Sequence, residues 1–410
     1  MTTSEWARDG ARARPLRFGV FMAPFHRSGH NTALAIENDL RSVEVLDSLG
    51  YDQVWFGEHH SSGYEIYPSP EIMIAAAAQR TARIELCSGV ISLPYHHPLI
   101  VADRMAFLDH MTRGRLICGV GPGALPSDSA MMGIDYNCLR TRMDEALTAI
   151  LALLDSDEPV TMSTDWFELR DAQLQHQSYR SPRLKMAVAS ALSPSGPRLA
   201  GRNGIGLVSF GGTSEGALDV LASTWDVMSE QAMAYEQPVS RDDWAIVGMM
   251  HIAPTEAEAR AETRSGLKEF FDYRHAASPF RLYDDDGLSH DEIVDCVNAK
   301  GAGVIGTPDM AVEFVNKLLD RTGGFGTLLF NANDWSDPAA TRRSWELFAR
   351  EVAPKFDGRS QSRVRSHERV MGHKQELVAQ FLGGIQLAKD SYDAERKQSG
   401  SSPPGTKETR

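Results

Sequence analysis

Between residues 17 and 350 one pattern recurs eight times: a short, mostly apolar run of strand character, then a stretch with helical spacing. The strand runs fall at residues 17–23, 51–56, 84–93, 115–121, 184–189, 205–210, 244–252 and 325–331. Between them, sets such as Val101, Met105 and Leu108, or Met143, Leu147, Ile150, Leu151 and Leu154, recur at the period of a helix with one buried face. Buried strands alternating with helices call for parallel pairing with helical crossovers, and eight such units point to a closed α/β architecture, the (β/α)8 TIM barrel, rather than an open sheet. A length of 410 residues with 42% hydrophobic residues allows one barrel domain carrying insertions. The expected organisation is a disordered arm at 1–15, a barrel at 16–356 and a helical and disordered tail at 357–410. Insertions at 155–182, after the fourth unit, and at 273–306, after the seventh, are candidates for lids over the active face. In the tail, residues 376–388 read as a helix.

The formal net charge of −13 argues against nucleic acid or an anionic membrane as the main partner. The four cysteines, Cys87, Cys118, Cys138 and Cys296, are widely spaced without a C-x-x-C, so neither a zinc site nor a disulfide framework is indicated. No apolar run approaches transmembrane length and the first residues lack a signal-peptide core, which gives the expectation of a cytoplasmic protein.

Residues 51–64, YDQVWFGEHHSSGY, deliver Glu58, His59 and His60 at the carboxyl end of a buried strand, where parallel α/β folds hold their chemistry. Adjacent residues on an extended chain point to opposite sides, so the triplet makes a poor three-ligand metal site. No metal is expected. His96 and His97, between Pro94 and Pro98, read equally well as a second candidate pair or as solvated residues before a helix. Gly119, Gly121 and Gly123 follow the fourth strand without forming a G-x-G-x-x-G fingerprint; they suit either a backbone lying against a flat, bulky group or a tight turn at the rim. Ser190, Ser193, Ser195 and Gly196 open the helix after the fifth strand, which gives hydroxyls and free amides for a phosphate, or simple capping by Ser193 with Pro194 in the first turn. Lys185 stands at the wrong end of its strand for Schiff-base chemistry. The single G-x-S-x-G match at 212–216 reads as a glycine turn.

In order, WFGEHHSSG, SGVISLPYHHPLIVADRMAFLDHMTRGRL, GVGPGALPSDSAMMGID, ASALSPSGPRLAGRNG and GTPDMAVEFV resemble the bacterial luciferase-like flavin-dependent monooxygenases, in the branch of limonene monooxygenase. The resemblance runs from about residue 17 to residue 354. It implies a barrel that takes reduced FMN (FMNH2) from a separate reductase and forms a C4a-(hydro)peroxyflavin with O2. That species then epoxidises or hydroxylates a moderately apolar terpenoid or polyketide-like substrate of secondary metabolism. It implies His59 as the catalytic histidine, the unperturbed histidine pKa lying close enough to neutrality to deprotonate or hydrogen-bond the peroxide, and His60 and Glu58 as supporting groups. It further implies a cis peptide at Gly89–Val90 beneath the flavin ring, Gly121 and Gly123 beside it, a phosphate seat at Ser190, Ser193, Ser195 and Gly196, and a homodimer. Gly121 stands where luciferase has a cysteine and Pro122 where it has a phosphate-gripping arginine, which turns attention to Arg198 and Arg202. The same resemblance implies two alternatives: hydride transfer with the deazaflavin F420, as relatives of the family perform, and a non-catalytic flavin-binding subunit.

Overall fold

The structure, a computed structural model, describes residues 15–23, 25–191, 193–212, 217–277, 281–284, 287–332 and 334–400. Most of the expected arm, the 401–410 end and the centre of the G-x-S-x-G match lie outside them. The chain divides into two compact units, Met1–Asp357 and Gly358–Arg410.

In the first unit the order runs β1 (Arg17–Met22), α1 (Thr32–Leu49), β2 (Gln53–Phe56), α2 (Pro70–Ala78), β3 (Glu85–Ser88), β4 (Ile91–Ser92), α3 (Pro98–Thr112) and β5 (Leu116–Gly121). It continues with α4 (Pro126–Met131), α5 (Leu139–Asp155), β6 (Val160–Ser163), β7 (Glu168–Ala172), β8 (Lys185–Ser190), α6 (Ser195–Asn203), β9 (Gly206–Gly212) and α7 (Ala217–Ala234). The last elements are β10 (Trp244–Ile252), α8 (Glu256–Thr263), α9 (Leu267–Ala277), α10 (His290–Ala299), β11 (Gly303–Gly306), α11 (Pro308–Thr322), β12 (Thr327–Ala332) and α12 (Pro338–Leu347).

Eight strands, β1, β2, β3, β5, β8, β9, β10 and β12, pair in parallel in that order, and β10 and β12 close the ring back to β1. This is the expected TIM barrel. Its strands are buried on both faces: all four residues of β2 and all nine of β10 are inaccessible, which is why they read as continuous apolar runs rather than alternating ones. Inside the ring, Phe21, Trp55, Cys87, Ile117, Ala187, Val208, Ala245 and Leu329, one from each strand, pack into a single cluster. The barrel interior is therefore packed with side chains. Each large side chain so buried contributes roughly 1.5–3 kcal/mol.

Local chemistry sets the boundaries. Asn31 caps α1 through its side chain and Gly50 ends it in the left-handed region. Thr255 with Glu258, and Ser289 with Glu292, form capping boxes on α8 and α10.

Three expectations need correction. The third strand is not one run over 84–93 but two, β3 and β4, separated at the Gly89–Val90 peptide, which is cis. The insertion at 273–306 is more than a lid, because its last residues form β11, a ninth parallel strand paired with residues 249–252 of β10 outside the ring. Those four residues, GVIG, were too few to register as a strand of their own. The insertion at 155–182 carries the antiparallel β6–β7 hairpin, which packs on the barrel's outer helices: Phe167 joins the main core and the Trp166 indole donates to Glu145 of α5 at 2.7 Å. It contributes no side chain to the cavity described below.

The second unit consists of α13 (Gln361–Gly372) and α14 (Lys374–Ser399), the latter longer than the helix expected at 376–388. Leu377, Phe381, Leu382 and Leu387 of α14 are exposed.

Candidate active site

A cavity of about 680 Å³ sits at the carboxyl ends of the barrel strands. Its wall has two different arcs. From β2 round to β8 it presents Glu58, His59, Glu65, Ser92, Ser190, Ser193 and Ser195, set among apolar residues such as Val90, Leu125, Met143 and Val188. From β9 through β10 and β12 to β1 the strands present Phe210, Val247, Asn331, Phe21 and Ala23. Phe270, Tyr273, Arg274 and Ala277 of α9 line the cavity as well, so this part of the second insertion does cover the active face.

His59 leaves β2 with its backbone anchored by His59 N–H donating to Tyr67 O at 2.9 Å. Its ring lies between two carboxylates, Nδ1 at 3.1 Å from Asp128 Oδ2 and Nε2 at 2.9 Å from Glu65 Oε2. Asp128, from the first turn of α4, also accepts from the His60 amide at 3.0 Å and from the Ser61 hydroxyl at 2.5 Å. Glu65 accepts from the Tyr273 hydroxyl at 3.0 Å. Burial by itself would lower the His59 pKa, but attraction to Glu65 and the hydrogen bonds to Asp128 and Glu65 outweigh it and raise it to about 10. This environment moves His59 away from its unperturbed value and favours the imidazolium, with both ring N–H groups engaged by carboxylates.

Glu58 heads a second cluster. Its carboxylate, almost wholly buried, accepts from His60 Nε2 at 3.0 Å, His96 Nε2 at 2.6 Å and the Ser92 amide at 2.6 Å. Burial opposes ionisation here, yet the hydrogen bonds from His60 and His96 win and lower its pKa to about 2. Glu58 reaches the cavity wall, whereas His60 does not and acts through Glu58. The structure thus assigns His96 to the site, while His97 opens α3 without a side-chain cap.

Asp128, Glu65 and Tyr273 are residues that the sequence did not single out, and His96 was left open between a candidate and a solvated residue. Only His96 carried a signal. Asp128 and Glu65 stand in polar stretches where a carboxylate draws no attention.

Gly89 and Val90 line the cavity. Gly121 does not: a Cβ there would come within 2.6 Å of Val90 Cγ2, so this glycine lets β5 pass close behind Val90. Gly123 does line it, with φ +89° and Tyr95 where a Cβ would stand. The glycine run is thus demanded first by the chain's own close packing and by a rim turn.

At the far end of the polar arc, β8 stands three places round the ring from β2. Ser190, Ser193, Ser195 and Gly196 all line the cavity there. Capping by Ser193 does not occur. α6 starts at Ser195 after Pro194, no side chain caps it, and the Ser193 and Ser195 hydroxyls pair at 2.7 Å. Its first amides remain for a ligand. Arg198 and Arg202 line the same end, Arg202 paired with Asp144, Arg198 exposed and without an ion pair among the described residues. Hydroxyls, helix amides and two guanidiniums beside an apolar hollow fit a flavin mononucleotide, phosphate at the α6 end. Among the described residues no group of three or more His, Cys, Asp or Glu is arranged to hold a metal ion, and no helix is long and apolar enough to cross a membrane.

Comparison with known proteins agrees with this geometry. The family model described as luciferase-like monooxygenase matches residues 16–323. Limonene 1,2-monooxygenase of Rhodococcus erythropolis is 42% identical over 379 residues, covering 92% of this chain and 96% of the relative. The 4-hydroxyprotoasukamycin monooxygenase of Streptomyces nodosus subsp. asukaensis is 41% identical over 348 residues, covering 84% and 93%. Among solved structures, the oxygenating constituent of 3,6-diketocamphane monooxygenase from Pseudomonas putida, a type II Baeyer-Villiger monooxygenase in complex with FMN, matches with a TM-score of 0.70 at 28% identity, covering 83% of this chain and 99% of that one.

Proposed function

The chain belongs to the luciferase-like monooxygenase family, and from that premise we propose that this flavin-dependent monooxygenase uses FMNH2, delivered by a separate reductase, and O2 to epoxidise or hydroxylate a moderately apolar terpenoid or polyketide-like substrate. Reduced FMN, when bound, supplies the two electrons by which one oxygen atom enters the substrate and the other leaves as water. The observation that carries the reading is a largely apolar cavity that gathers its carboxylates, imidazole and hydroxyls on the arc from β2 to β8, under a helical roof.

The residues divide the work. Ser190, Ser193, Ser195 and the Gly196 amide hold the phosphate, with Arg198 and Arg202 adding charge. Gly89 and Val90 support the ring, Gly121 places Val90, and Gly123 turns the rim. His59, locked between Asp128 and Glu65, contributes a fixed positive charge to the polar arc, and preorganised charge of this kind stabilises developing negative charge without rearrangement. Glu58 and His60 stiffen the same corner. The substrate lies on the apolar arc below α9, where water is excluded. The protein works as a cytoplasmic homodimer, and its acidic balance keeps it off nucleic acid and anionic membranes.

Anaerobic titration with photoreduced FMN, followed by mixing with ¹⁸O₂ and limonene or an oxygenated analogue, tests the proposal. Binding of reduced FMN and one labelled oxygen atom in the product are expected. Tight binding of F420 in place of reduced FMN, with turnover that consumes no oxygen, would sink it.

A further inference from the structure

Asn331 is unlike its surroundings. It is the fifth residue of β12, on the same strand face as Leu329, which belongs to the barrel's interior cluster. Its neighbours in register are Phe21 of β1 and Met249 of β10. Among the described cavity-lining residues of β9, β10, β12 and β1, it is the one polar side chain, set among Phe210, Val247, Phe21 and Ala23. It is 94% buried, at 6% relative exposure, and its carboxamide oxygen has no hydrogen-bond partner among the described residues.

A buried amide oxygen without a partner destabilises a fold, and a leucine there would remove the penalty and extend the apolar wall. We propose that Asn331 is the hydrogen-bonding anchor for the substrate, which carries an oxygen function, a hydroxyl or a carbonyl, on an otherwise apolar skeleton. The terminal dihedral of asparagine is broad and roughly two-fold, so its carboxamide presents either its donor or its acceptor end to such a group. A hydrocarbon leaves it unpaired. This rests on the monooxygenase reading for the word substrate, and on the cavity alone for the preference.

The test uses three ligands with one skeleton: limonene, carveol and carvone, which differ as hydrocarbon, alcohol and ketone at one carbon. Dissociation constants are measured by calorimetry on the full chain with saturating oxidised FMN, for the wild type, Asn331→Leu and Asn331→Ala. One hydrogen bond in a dry wall corresponds to about a tenfold preference. The wild type is expected to bind at least one oxygenated ligand about tenfold tighter than limonene, and both variants to lose that preference with FMN affinity unchanged. Equal binding of all three by the wild type, binding of none, or a preference surviving both substitutions would overturn the inference. So would a loss of FMN affinity in the variants, which would give the amide to the flavin. Because binding is read without turnover, a protein that shows the preference but consumes no oxygen would fail the monooxygenase reading and keep this one.

Discussion

His59 illustrates how a residue's neighbours determine what it can do. Placed after a buried strand, an isolated histidine would titrate near neutrality; between Glu65 and Asp128 its folded pKa is raised to about 10. With the folded value above the unfolded one, the stabilisation is fully present below about pH 6.5 and is lost as pH rises through about 10. The ring nitrogens of His59, assigned by their absence in His59→Gln, are therefore expected to stay protonated in NMR spectra from pH 6 to about 9; a titration near 6.5 would show that the ion pairs do not hold in solution. His59→Ala should leave FMN binding intact and lower turnover by about two orders of magnitude, with unchanged turnover excluding the role given to its charge.

The elements around the site are also tied by a cluster at His26 built on the plan of the His59 one. His26, just beyond β1, has Nε2 at 2.8 Å from Asp39 of α1 and Nδ1 at 3.0 Å from Asp334 beyond β12, and the Tyr67 hydroxyl also donates to Asp39. Burial opposes its charge, but the bonds to Asp334 and Asp39 raise its pKa to about 10 as well. His26→Ala leaves two carboxylates without their cation and is expected to lower stability by about 3 kcal/mol, read as a drop in the denaturation midpoint; a change near zero would show that the cluster is solvated. The eight strands were legible because each is a dense apolar run with one meaning. The carboxylate–imidazolium clusters of His26 and His59 were not, because they draw on separate helices and loops, Asp39 with Asp334 and Glu65 with Asp128, and nothing along the chain marks the pairing. For the same reason the cis peptide followed from a resemblance rather than from periodicity, and β11 was absorbed into an insertion that otherwise reads as helix and turn.

At the scale of the molecule, Met1–Asp357 holds the complete barrel, every side chain of the cavity and the three histidine clusters. A chain ending at Asp357 is accordingly expected to fold and to bind FMN within about twofold of the full chain, since compact units with their own core fold alone; loss of binding measured by flavin fluorescence would show that Gly358–Arg410 completes the site. The two arcs of the cavity wall carry a wider consequence. Phosphate seat and fixed charge come from the strands between β2 and β8, the apolar wall from those between β9 and β1. Variation can act on one inheritance and leave the other alone. A library confined to Phe21, Phe210, Val247 and Asn331 would explore new substrates on a scaffold whose grip on its cofactor stays constant.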